Sequence, residues 1–176
     1  MGGINKSIIK MNIDELRTTI NWDIRRLNDA ISKGIVRNKY QTAEYVKKLE
    51  DFLTLDYFKG SLYKTTGEVL GNVKFFYKDS ADNMAINKSV ISEVKKVKKR
   101  KGQISFFDDF FLMEDQLERA LKDPDGYIKE LEEENKKLEK DFKLAKFLMA
   151  YIMNHDQFFN RLYIGGYKHH VDEENL

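Results

Sequence analysis

Apolar side chains recur in steps of three and four across residues 127–152. Ile128, Leu131, Leu138, Phe142, Ala145, Met149 and Ile152 take alternating a and d positions of one heptad frame, and Asn135 takes the single polar a position. That spacing lines the side chains along one stripe of a long helix. Glu130, Glu132, Glu133, Glu134, Lys136, Lys137, Glu139 and Lys140 surround the stripe with mixed charge, as on the exterior of a coiled coil. Between residues 142 and 153 only Lys143 and Lys146 interrupt the apolar run, so this half is expected to lie in a core. Residues 128–138 remain free to pair. They imply either a parallel homodimer, which an asparagine at an a position favours, or packing on the chain's own helix at 13–31 with Asn135 near solvent.

The same periodicity predicts other helices. Asn12 caps one that runs to about Lys33, with Ile13, Leu16, Ile20, Ile24, Leu27 and Ile31 as its apolar stripe and Gly34 as its stop. A second is expected from about Thr42, with Val46, Leu49, Phe52 and Leu53 inward. Around Gly67 and Gly71 the β-branched and aromatic residues cluster, which predicts a small β-hairpin at 61–78 with a strand at 73–77. A polar turn at 80–83 then precedes a helix at 85–99. Ser105 is expected to cap a further helix bearing Phe106, Phe110, Met113, Leu117 and Leu121. Asp123-Pro124 restarts a helix, which extends to about Tyr163 and bends near Asn154-His155. The expected fold is mainly α: about five helices, one of them long and partly coiled-coil-like, with one small β-hairpin.

Composition narrows the possible functions. With 41% apolar and 12% aromatic residues, the 176-residue chain can bury a core. It contains no cysteine, so disulfide scaffolds, thiolate metal sites and cysteine nucleophiles are excluded. A reducing, cytoplasmic setting fits. No signal-peptide pattern or membrane-spanning run appears, and the Met-Gly-Gly start lacks the Ser or Thr that myristoylation wants at position six. Residues 1–101 carry 21 Lys and Arg against 12 Asp and Glu, a net +9, whereas residues 102–176 carry 10 against 17, a net −7. The chain therefore reads as a basic helical region at 1–101, an acidic helical region at 102–164 and a flexible tail at 165–176, joined in one compact unit.

Three features carry candidate chemistry. Lys95, Lys96, Lys98, Lys99, Arg100 and Lys101 form a basic run. It can neutralise phosphates without reading sequence, or stand as a solvated helix end. Phe107 and Phe111 lie off the inward phase of an acidic, aromatic segment, where an exposed ring would anchor a protein partner. Arg25 and Arg26 would read bases only if a turn at Asn21-Trp22 made a helix-turn-helix, but the stripe crosses those residues unbroken. His169, His170 and Asp172 are metal-ligand types in a polar tail, and His155 stands alone on the long helix. Neither a phosphate loop nor a nucleophile turn is present.

These observations favour a non-enzymatic protein that binds a surface of a larger protein or nucleoprotein assembly. Size and lysine-rich composition suit a phage or mobile-element accessory or inhibitor factor. No catalytic residue, metal site, cofactor or membrane is expected. Ile128, Leu131, Asn135, Leu138, Phe107 and Phe111 are the candidate partner or dimer contacts. The first alternative is a dimeric nucleic-acid-binding regulator that uses the basic N-terminal half. The second is a small metal-dependent enzyme.

Overall fold

The computed structural model describes residues 7–55, 64–100, 111–168 and 170. A short 3-10 turn, Ile8–Lys10, precedes six α-helices among the described residues. These are α1 (Ile13–Lys33), α2 (Lys39–Thr54), α3 (Thr66–Lys99), α4 (Glu114–Lys122), α5 (Pro124–Met153) and α6 (His155–Leu162). The fold is mainly α, and the described residues contain no strand, only the isolated bridges Asn12–Thr65 and Val36–Tyr163.

Helix α1 begins and ends where its local chemistry dictates. The Glu15 N–H donates to Asn12 Oδ1 at 2.8 Å, and the Asn12 N–H donates back to Glu15 Oε1 at 3.3 Å. This reciprocal pair satisfies two amides that the first turn leaves open. Gly34 ends the helix at φ 69°, a left-handed conformation that costs a glycine little. Helix α2 starts earlier than Thr42 because Asn38 supplies a cap. Asn38 Oδ1 accepts from the N–H groups of Tyr40 (3.1 Å) and Gln41 (3.0 Å).

The largest departure from the sequence expectation is α3. The hairpin at 61–78, the strand at 73–77 and the turn at 80–83 give way, from Thr66 onward, to one helix ending at Lys99. Residues 61–63 lie outside the described residues. The cause is a longer pattern: Leu70, Val73, Ser80, Asn87 and Val94 are all buried at helical spacing. Burial of that side overrides the local β preference of Val73 and its aromatic neighbours. Gly67 and Gly71 face outward, so each costs only its propensity, about 1 kcal/mol.

Helix α4 starts at Glu114 with Met113 as its N-cap, so Met113 lies ahead of the helix that carries Leu117 and Leu121 rather than within it. Gln116 Oε1 accepts the Met113 N–H at 3.0 Å, and Glu114 and Asp115 sit in the first turn, where the helix dipole favours acids. Residues 101–110, including Ser105, Phe106 and Phe110, lie outside the described residues. At α5 the Asp123-Pro124 signal operates as expected, with Asp123 Oδ1 accepting the Gly126 N–H at 3.1 Å. Asn154, at φ −131° and ψ 43°, breaks the helix before α6.

Contacts gather the chain into two units, residues 1–74 with 144–176 and residues 75–143. In the first, Leu16, Ile20, Leu27, Leu49, Phe52, Val69, Leu148, Tyr151 and Phe159 are buried. Its aromatic rings pack in series, with Phe147 5.0 Å from Tyr45 and 5.3 Å from Phe158, and Phe159 5.4 Å from Phe158. In the second, Val94, Val97, Leu117, Ala120, Tyr127 and Leu131 form the core, with Val90, Ile91, Leu112, Leu121 and Ile128 packed against it.

Candidate functional site

In unit 75–143, the heptad stripe of α5 lies against α3. The Tyr77 and Phe142 rings stack with centroids 4.6 Å apart. Further along, the Asn87 amide donates to Asn135 Oδ1 at 2.9 Å, and Asn135 Nδ2 reaches the Met84 carbonyl at 3.4 Å. Residue numbers rise on one helix as they fall on the other, so the two run antiparallel. The stripe thus packs on α3, where the sequence predicts α1, and Asn135 is half-buried there rather than turned to solvent. Its amide meets Asn87, which occupies the matching polar position of α3. A paired amide in an apolar seam fixes register, because any slip would bury both groups unsatisfied. Leu131 is buried, Ile128 packs on the same core, and Leu138 is half-buried.

The basic run ends α3 with its cations in different circumstances. Lys96 pairs with Glu93 at 2.8 Å and Lys98 with Asp125 at 2.6 Å. Lys95, Lys99 and Arg100 are exposed, while Lys101 lies outside the described residues. Glu93 itself is buried. The Lys96 ammonium holds its carboxyl below the usual range, against the opposing effect of burial, and the Phe111 N–H adds a weaker bond at 3.4 Å.

That bond places Phe111 beside α3. Its ring is 88% exposed, and it borders an open cleft with Lys88, Ser89, Ser92 and Glu93. Phe107 lies outside the described residues. The two halves of the aromatic segment's expected interface are therefore represented by Phe111 alone.

The unit formed by residues 1–74 and 144–176 contains a cluster that the sequence reading missed. Asp23 is 1% exposed in the middle of α1. Its Oδ2 accepts from the Tyr151 hydroxyl and from His155 Nε2, the latter at 2.7 Å. Tyr151 and Phe159 flank the imidazole, with centroids 5.2 and 4.8 Å away. Burial pushes the Tyr151 hydroxyl well above its ordinary range, and the Asp23 charge adds to this, so Tyr151 stays a donor. For His155, burial acts to lower the pKa. The Asp23 hydrogen bond and charge, helped by Asp156, outweigh it and raise the value. An Asp–His pair orients the base in hydrolytic triads, where the second imidazole nitrogen faces a nucleophile. Here that nitrogen, Nδ1, faces Asp156 Oδ1 at 3.4 Å. The geometry suits a polar latch that ties α1 to α5 and α6.

The remaining candidates fall apart spatially. Helix α1 runs unbroken through Asn21-Trp22, and the Arg26 guanidinium lies over the rings of Trp22 (5.2 Å) and Tyr167 (5.5 Å). The His170 ring bonds to the Ile164 carbonyl, while Asp172 lies outside the described residues and so does the His169 side chain. Among the described residues no three His, Asp or Glu side chains converge as a metal site, and no helix is long and apolar enough to cross a membrane. No family model, curated protein or solved structure matches the chain.

Proposed function

We propose that this protein is a non-enzymatic interaction factor that acts by occupying a surface of a larger protein or nucleoprotein assembly. The observation that carries this reading is the Phe111 ring, exposed beside α3. Its backbone is tied to Glu93, and Glu93 is neutralised by Lys96. A large ring exposed beside a helix offers a partner an apolar anchor. The reading suits an accessory or inhibitor factor of the kind that mobile elements encode. It is tested by pulling partners from lysate with the native chain and with Phe111→Ser, and identifying them by mass spectrometry. A partner retained by the native chain and lost with the variant supports the reading; a chain that retains nothing contradicts it.

A second reading, contact with a polyanion, draws on Lys95 and Lys99. Both are exposed and make no ion pair among the described residues, in contrast to Lys96 and Lys98. Two free cations give a shallow salt dependence, with a slope of roughly −2 in log affinity against log salt rather than the −5 or so of six phosphate contacts. Leu131 and Asn135 are already engaged within one chain, so this reading includes no pairing through them. Lys95→Gln/Lys99→Gln should abolish any retarded duplex or RNA band; unchanged affinity rejects the reading.

A further inference from the structure

Helix α3 presents a second apolar feature, separate from Phe111. Phe75 is 63% exposed and Ile86 57% exposed, and Asp79 and Asp82 between them are exposed as well. Their spacing of four, three and four residues places all four close to one line along the helix, since each step turns the chain by about 100°. The buried positions of the same helix, Val73, Ser80, Asn87 and Val94, lie on another side. Nothing in the packing of residues 75–143 therefore requires an aromatic ring and a branched aliphatic side chain on this line. Neither Asp79 nor Asp82 makes an ion pair among the described residues, although Lys78 and Lys88 are close in sequence. Lys78 lies on one flank, about 60° from the line.

We propose that the stripe Phe75, Asp79, Asp82 and Ile86 is a docking surface for a basic amphipathic helix of another protein. The apolar ends supply burial, and the central carboxylates select the partner's charge. A second copy of this chain fits poorly. An antiparallel copy that sets Phe75 against Ile86 also brings Asp79 opposite Asp82 twice over, and like charges so placed repel. Nucleic acid and anionic lipid meet the same carboxylates and are repelled by them. A helix carrying apolar residues at the two ends and Lys or Arg at the two inner positions satisfies all four side chains. Because the spacing reads the same in both directions, such a helix fits parallel or antiparallel.

The test uses the full chain and a synthetic helical peptide bearing Leu at two positions eleven residues apart, with Arg four and seven residues after the first. A control peptide carries Glu in place of Arg. Fluorescence anisotropy at low salt should show saturable binding of the Arg peptide and not of the Glu peptide. Ile86→Asp, and separately Asp79→Lys/Asp82→Lys, should each weaken binding at least about tenfold. All three positions are exposed, and circular dichroism checks that the variants keep their helix content. Equal binding of the two peptides, no binding of either, or an affinity unchanged by the Asp substitutions overturns the proposal. So does a concentration-dependent dimer, seen by sedimentation, that Ile86→Asp abolishes, because a second copy would then be the occupant. So does binding of duplex DNA or anionic vesicles that Ile86→Asp removes. Phe111→Ser should leave peptide binding unchanged, so failure here is separable from failure of the Phe111 reading.

Discussion

The two units bury polar groups in different ways. The unit of residues 1–74 and 144–176 encloses a charge: Asp23, in the core, is held by Tyr151 and His155. The unit of residues 75–143 also buries a carboxylate, Glu93, but at an edge where the exposed Lys96 meets it. Its helix seam holds a neutral amide pair, Asn87 with Asn135, and Phe75, Ile86 and Phe111 stay outside, as Tyr40, Met153 and Ile164 do in the first unit. A buried carboxylate is costly unless every partner is in place, so it specifies one arrangement of helices and tolerates little change. An amide pair costs less and sets register alone. Exposed rings do nothing for the fold that carries them. On the function proposed above, recognition falls to exposed side chains of the second unit, Phe111 first among them.

The largest expected effect comes from breaking the charged cluster. Asp23→Ala leaves the Tyr151 hydroxyl and the His155 imidazole without their shared acceptor, and should lower stability by about 3 kcal/mol in urea denaturation. A surface-like loss of a few tenths would show that the cluster is not closed. The amide pair should respond less. Asn135→Leu strands the Asn87 amide and should cost about 1–2 kcal/mol. Asn87→Leu/Asn135→Leu should recover that loss, because neither partner is then left unsatisfied.

The pH dependence sharpens the same comparison. The native pKa of His155 lies above its unfolded value. The proton is therefore held more tightly in the folded state. The stabilisation is fully present below about pH 6.5 and is lost as pH rises through the higher native value. Thermal melts of the native chain should fall over that window, while His155→Gln should flatten the dependence. A fall on acidification through the same window would give the wrong sign. The smallest effect concerns α3. Nothing lies within 4 Å of a Cβ built on Gly71, so Gly71→Ala should stabilise by about 0.5–1 kcal/mol. Destabilisation would favour the turn-containing hairpin over the helix.

Much of the fold was legible where a local rule had no rival. Asn12, Glu15 and Gly34 bracket α1, and Asp123-Pro124 opens α5, because caps act within a turn of the chain. The hairpin expectation fails because Val73 and its aromatic neighbours look like a strand over five residues. Their helical phase becomes visible only when Leu70, Ser80, Asn87 and Val94 are read together. The same local pattern hides the partner of the α5 stripe, since a turn at 80–83 would separate Tyr77 from Asn87 on α3. Asp23 left a signal of another kind. It falls in phase with Leu16, Ile20, Leu27 and Ala30, where a solvated acid has no place. Ile24, expected inward, is only half-buried. Which residues would meet that acid could not be read, because Tyr151 and His155 are more than 120 positions away. The exposure of Phe111 depended on where α4 begins, and the Met113–Gln116 bond decides that start.

The antiparallel seam between α3 and α5 determines which apolar side chains remain outside, and it can be tested directly. The chain has no cysteine, so Asn87→Cys/Asn135→Cys can be treated with a short bifunctional thiol reagent without background reaction. Mass spectrometry of the dilute protein should find a monomer carrying one linker across both cysteines. A linked dimer, or two separately capped thiols, would contradict the seam and with it the division of labour drawn from it.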